Sequence, residues 1–106
     1  MAPLRLTQAT IGVLNELLNA THDEPTWGLK ICVRADLGSS TVYPVLDRLS
    51  KLGWVTSWNE TTPHPSRPPR RFHVLTTDGR AQVQQLLAQR SLRRRLSHPI
   101  PLWGQI

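Results

Sequence analysis

Residues 39–53 read SSTVYPVLDRLSKLG, and they form the clearest predicted element of the chain. Four apolar residues recur in it at positions i, i+3, i+4 and i+7, which is the spacing of one helical face. They are Val42, Val45, Leu46 and Leu49. Ser39 or Ser40 can cap the start of this helix, and Gly53 can end it in the left-handed conformation. The opposite face is polar and carries Ser40, Thr41, Pro44, Asp47, Arg48 and Lys51.

Two further helices are predicted upstream. The nearer one runs from about Thr26 to Ala35, and residues 36–39 form a tight turn in which Gly38 suits a left-handed backbone. A helix, a tight turn and a second helix that starts with small polar residues make a helix-turn-helix. The first helix runs from about Thr7 to Ala20. Its apolar face carries Ile11, Leu14, Leu17 and Leu18.

A β hairpin and a last helix are predicted downstream. Residues 54–58 and 70–75 alternate as strands do, and the proline-rich residues 61–69 between them read as an exposed loop. Thr76 or Thr77 can cap the last helix, which Pro99 must stop. The sequence therefore predicts a mainly α fold with a small β hairpin, a winged helix-turn-helix in residues 1–76. Residues 77–98 form a C-terminal dimerisation helix, and residues 99–106 an extended apolar tail.

The last helix is apolar on two sides, so it needs two surfaces to pack against. One face carries Val83, Leu86 and Leu87 and suits packing on the domain. The other carries Ala81, Gln85, Ala88, Leu92 and Leu96. A second copy of the chain would cover that face, which predicts a homodimer.

The basic charge is concentrated in one part of the chain. Residues 1–66 carry five basic and six acidic side chains, whereas residues 67–106 carry eight arginines and only Asp78. This distribution predicts binding to a polyanion, either nucleic acid or an anionic membrane surface. No apolar run approaches the ~20 residues that span a bilayer. The start lacks the apolar segment of a secretory signal, so a cytoplasmic protein is expected.

Catalysis and metal binding lack a sequence signal. The four histidines show no ligand spacing with Cys32 or with a carboxylate. There is no nucleophile elbow, no phosphate-cradling glycine loop and no carboxylate pair placed for acid–base work. We expect no enzyme activity and no cofactor, and we expect Cys32 to be a buried, inert thiol.

Two groups of side chains are the predicted DNA contacts. The start of the helix over residues 39–52 can bind phosphate through hydroxyl and backbone N–H groups, and its outward cations can reach bases or backbone. The hairpin arginines can follow the backbone beside it. The predicted contacts are Ser39, Ser40, Thr41, Tyr43, Pro44, Arg48, Lys51, Arg67, Arg70 and Arg71. The alternative is that the serines only cap the helix, that Tyr43 only covers the hydrophobic seam, and that the cations only solvate the surface.

The stretch from Ser40 to Val55 resembles the recognition helix of the PadR family of bacterial transcriptional regulators, with pattern S/T-x-x-T-x-Y-P-x-L-x-R-L-x-x-x-G. Residues 27–31 and 70–79 resemble two further family patches, so the resemblance covers about residues 8–90. It implies a repressor that binds an inverted repeat as a dimer and is often released by a small hydrophobic or aromatic compound. It also implies dimer contacts through the first and last helices, at Ile11, Leu14, Leu18, Ala88, Leu92 and Leu96. His73, the proline-rich loop and the single C-terminal helix depart from the usual pattern.

Three questions stay open at the level of the sequence. The winged helix could instead be a protein-interaction module whose basic tail binds an acidic partner. Membrane association through the last helix is disfavoured, because Gln85 interrupts its apolar stripe. Four tryptophans, Trp27, Trp54, Trp58 and Trp103, could line an effector pocket or could fill the core.

Overall fold

The computed structural model describes residues 4–62 and 64–97. Its elements are α1 (Gln8–Leu18), β1 (Thr26–Trp27), α2 (Gly28–Ala35), α3 (Ser39–Lys51), β2 (Val55–Asn59), β3 (Arg71–Leu75) and α4 (Thr77–Ser97). The three strands form one antiparallel sheet in the order β1-β3-β2. The predicted winged helix-turn-helix with a C-terminal helix is confirmed. The predicted tail over residues 99–106, including Trp103, and the predicted stop at Pro99 lie outside the described residues.

The predicted helix start at Thr26 is wrong, because Thr26 and Trp27 form a third strand. Thr26 pairs with His73 and Trp27 pairs with Phe72, so β1 extends the predicted hairpin to a three-stranded sheet. A β-branched residue followed by an aromatic residue favours strand over helix. α2 therefore begins at Gly28.

The turn between α2 and α3 also differs from the prediction. Asp36, with a φ of 56°, takes the left-handed conformation that was expected of Gly38. Asp tolerates this conformation because its short polar side chain can bond locally. Gly38 has extended backbone and is the N-cap of α3, without a side-chain cap bond, so neither Ser39 nor Ser40 caps the helix. At the other end Gly53 has the predicted positive φ, 77°.

One hydrophobic core joins α1, α2, α3, the sheet and the start of α4. The four apolar residues of α3 are buried as predicted, with Val42 and Leu49 fully enclosed. α1 turns Val13, Leu14 and Leu17 to this core, while Ile11 and Leu18 at the edges of its face are half-buried. Cys32, which we expected to be buried, is half-buried at the margin of the core.

The first turn of α4 is fixed to the rest of the domain from two sides. The Thr76 hydroxyl accepts a bond from the Gly79 N–H (2.9 Å), which is the predicted cap, and donates to backbone carbonyls at the start of β2. A Cβ at Gly79 would lie 2.6 Å from the Trp54 Cα, so only glycine allows this approach. Arg80 donates to the carbonyls of Leu18 (2.9 Å) and Ala20 (3.1 Å) at the end of α1. Val83 and Leu87 continue the contact with the core, so the N-terminal turns of α4 are held to the domain.

His73 is a buried polar residue in the central strand. It is 7% exposed, and its Nδ1 lies 2.7 Å from the Ser57 Oγ on the paired position of β2. Burial, with a smaller contribution from the charge of Arg71, lowers the pKa of His73 to about 4. The folded sheet therefore favours the neutral imidazole.

This shift predicts an acid dependence of folding. Between pH 6.5 and pH 4 the unfolded chain binds a proton at His73 that the folded chain does not, so the stability is full above this window and falls as the pH falls through it. The unfolding free energy of the unmodified protein should fall between pH 7 and pH 4.5. In the His73→Gln variant this fall should be smaller by about 2 kcal/mol. Urea denaturation at both pH values measures this difference. His22→Gln, at an exposed position, is the control, and an equal effect of the two variants would contradict the assignment.

Candidate nucleic-acid interface

The side chains of α3 that face away from the core form the first part of the candidate site. Successive residues of a helix are rotated by about 100°. Ser40, Pro44 and Lys51 therefore lie nearly opposite the core face, and all three are exposed. Thr41 and Arg48 lie on one flank of this outward face, and Tyr43 lies on the other. The structure thus leaves every predicted contact of α3 outside the core.

Lys51 has an acidic neighbour one turn earlier. Its Nζ lies 2.9 Å from Asp47 Oδ2, and the two side chains are 73% and 62% exposed. An exposed i, i+4 pair of this kind contributes only ~0.3–0.5 kcal/mol. A phosphate can therefore replace Asp47 as the partner of Lys51 at little cost.

We call β2, β3 and the loop between them the wing. A groove of about 830 Å³ lies between α3 and this wing. α3 lines it with Tyr43, Asp47 and Ser50, and the wing lines it with Arg67, Arg70 and Arg71. The exposed apolar residues Leu29 and Val33 of α2 lie along it as well. α3 and the wing therefore flank one open surface, which α3 lines from the side that carries Tyr43.

Tyr43 is held in place by a glycine. A Cβ on Gly28 would lie 2.6 Å from both Cζ and Oη of Tyr43, so the ring rests directly on the first residue of α2. Tyr43 is still 47% exposed. This packing holds the ring at the seam between α2 and α3, where Tyr43 covers part of the hydrophobic surface. The rest of the side chain is open to the groove.

Arg70 lies over an indole. Its guanidinium carbon is 3.9 Å from the centroid of the Trp27 ring, and the Nζ of Lys30 is 5.0 Å from the same ring. Both distances are within the range of cation–π contacts. An aromatic face orders a cation without cancelling its charge, so both cations still act on a nearby anion.

The other two wing arginines have different partners. Arg71 donates to the amide oxygen of Asn59 (3.1 Å) and remains exposed. Arg67 donates to both carboxylate oxygens of Glu60, at 2.8 and 3.0 Å. This hydrogen bond from Arg67 is the main reason why the pKa of Glu60 falls to about 2. Glu60 was not among the predicted site residues, because no helical or strand spacing relates it to Arg67 across an irregular loop.

The described tryptophans lie in different surroundings. Trp27 lines the groove, whereas Trp54 packs against the core. Trp58 stacks on His22, with ring centroids 5.5 Å apart, and contacts Phe72. Trp54 therefore fills the core, whereas Trp27 lines the groove beside α3.

The predicted dimer contacts fall into three groups. Leu14 is fully buried in the core of its own chain, so it cannot contact a partner, and that prediction is wrong. Ile11 and Leu18 are half-buried on α1. On α4 the whole predicted stripe is exposed, with Leu92 at 54% and Leu96 at 76%.

Residues 4–62 and 64–97 hold no group of three His, Cys, Asp or Glu side chains that could bind a metal ion. No helix in the same residues is long and apolar enough to cross a membrane.

Similar structures share this architecture. A PadR family regulator from Clostridium difficile R20291 has a TM-score of 0.67 at 16% identity, covering 85% of this chain and 94% of that one. A PadR-like transcription factor from Bacteroides fragilis has a TM-score of 0.61 at 24% identity, covering 84% and 86%. Bacillus subtilis PadR in complex with operator DNA has a TM-score of 0.64 at 19% identity, covering 94% of this chain and 52% of that one. At these identities the likeness shows the fold.

The family follows from the sequence itself. No curated protein matches the chain. The model of the PadR-like family of transcriptional regulators matches residues 17–85, which is more than half of the chain. That match includes α2, α3 and the whole wing, the elements that flank the groove. The chain therefore belongs to the PadR-like family of transcriptional regulators.

Proposed function

We propose that this protein is a sequence-specific regulator that binds double-stranded DNA, and that it represses transcription by binding an inverted repeat as a homodimer. One observation carries the proposal: the flank of α3 that bears Tyr43 and the arginine-bearing wing line the same groove, beside the outward face of α3. The complex of Bacillus subtilis PadR with operator DNA supports it by analogy.

The proposed contacts divide by role. α3 enters the major groove, where Arg48 and Lys51 reach base edges or phosphates. Ser39 and Ser40 stand at the start of α3, where backbone N–H groups and the helix dipole favour a phosphate. Arg70 and Arg71 follow the DNA backbone from the wing. Phosphate contacts position the protein, and α3 reads the sequence.

Selection of bound duplexes from a random pool tests the function, and we expect a palindrome. With about six phosphates neutralised, the logarithm of the affinity should fall against the logarithm of the salt concentration with a slope near −5. The selected duplex should bind at least ~10³-fold more tightly than random duplex. Equal binding to the selected duplex, random duplex and heparin would instead support the alternative of a basic module for an acidic partner.

The Arg48→Ala variant tests whether the outward face of α3 contacts the DNA. Arg48→Ala should weaken binding to the selected duplex about tenfold, because one groove contact is worth ~1–3 kcal/mol, and it should leave the thermal unfolding midpoint unchanged. Fluorescence anisotropy measures the affinity. Arg5→Ala removes the same charge from an exposed residue ahead of α1 and outside both α3 and the wing. An equal loss in both variants would contradict a specific role of Arg48.

The homodimer is proposed to form through the exposed stripe of α4. Leu92→Asp should convert the protein to a monomer, because a charge would replace apolar contact area. Its affinity for the palindrome should fall as well, since two half-sites ~34–36 Å apart must be held together. Gln82→Asp adds the same charge at an exposed polar site off the stripe and serves as the control. Analytical ultracentrifugation measures the mass, and a monomer with unchanged affinity would refute the proposal.

Release by a small aromatic effector is the last part of the proposed function. The groove supports it, because Trp27 and Tyr43 offer aromatic surface beside α3. Titration with phenolic acids and planar cationic drugs should change the tryptophan fluorescence and lower the affinity for the selected duplex. Trp27→Phe should remove most of the fluorescence change. No response across the panel would end the effector proposal and leave DNA binding untouched.

A further inference from the structure

A carboxylate closes the base of the wing loop. The Glu60 N–H donates to the Arg70 carbonyl (2.7 Å), and Glu60 Oε1 accepts from the Arg70 N–H (3.3 Å) and from Arg67 Nη1 (2.8 Å). Glu60 Oε2 accepts from Arg67 Nη2 (3.0 Å). The Glu60 and Arg67 side chains are only 15% and 27% exposed. Both oxygens of the acid and both terminal nitrogens of the arginine are thus engaged inside the wing.

The three wing arginines differ in what their partners leave available. Arg70 rests on an indole and Arg71 on a neutral amide, and within residues 4–62 and 64–97 neither guanidinium forms an ion pair with a carboxylate. Arg67 is matched by a carboxylate that is ionised throughout the pH range in which DNA binding is measured, since its pKa is about 2. Of the three wing arginines, only Arg67 is therefore held in an ion pair by the part of the chain that the structure describes.

We propose that Glu60 is a positioning residue of the wing, which holds Arg67 inside the hairpin and keeps it off the DNA phosphates. This inference rests on the DNA binding proposed above. Phosphate contacts add affinity for every sequence and carry no sequence information directly. Withholding one cation therefore lowers the affinity for random DNA. A bidentate arginine–carboxylate pair has the geometry to compete with a phosphate for the same guanidinium.

The salt dependence of DNA binding tests the inference, because its slope counts neutralised phosphates at ~0.9 per contact. We expect Glu60→Ala to release Arg67, to steepen the slope by about one and to raise the affinity for random duplex roughly five- to tenfold at 0.1 M salt. Arg67→Ala and the double variant Glu60→Ala/Arg67→Ala should keep the slope of the unmodified protein. A merely structural role of the pair would not produce this pattern.

The control is Asp23→Ala, which makes the same change of net charge at an exposed residue between α1 and β1. It should leave the slope unchanged. An unchanged slope in Glu60→Ala would overturn the inference, and so would a slope reduced by about one in Arg67→Ala or an equal effect of Asp23→Ala. If the unmodified protein fails to prefer the selected duplex, the proposed function fails instead, whatever the Glu60 variants do.

Discussion

α3 can bury only one of its faces, and this constraint orients the rest of the candidate site. Val42 and Leu49 are fully enclosed, and burying side chains of this size stabilises the fold by ~1.5–3 kcal/mol each. Rotating α3 by a third of a turn would exchange them for charged residues such as Asp47, at a larger cost. The hydroxyls and cations of α3 are therefore turned outward by the same burial that holds the domain together.

The wing depends on how its charges are divided between internal and external partners. Arg67 is paired with the Glu60 carboxylate, whereas Arg70 and Arg71 contact an indole and an amide, which carry no net charge. An arginine count in the sequence therefore overstates the charge that the wing presents to a polyanion. On α4 the anchoring contacts and the exposed side chains lie in different parts of the helix. The first turn is bonded to α1 and to the segment that leads into β2, and the later turns carry exposed leucines and arginines.

Periodic patterns made most of the fold predictable, and contacts between distant residues account for what was missed. The spacing of Val42, Val45, Leu46 and Leu49 fixed the site helix, and alternation located both hairpin strands. Thr26 and Trp27 form a strand by pairing with β3, which lies far from them in the sequence. Leu14 belongs to the interior and not to a dimer contact, because helical spacing alone cannot say how wide the buried face is. The pairing of Glu60 with Arg67 crosses an irregular loop, where no periodicity operates.

Protection of guanine N7 from dimethyl sulfate on the selected duplex tests most directly whether α3 reads DNA, because N7 lies in the major groove. We expect protected guanines in two half-sites about one helical turn apart. We also expect weaker protection in the Arg48→Ala variant. Tight binding with every guanine N7 still reactive would contradict the reading of DNA by α3, since the outward face of α3 would then lie outside the major groove.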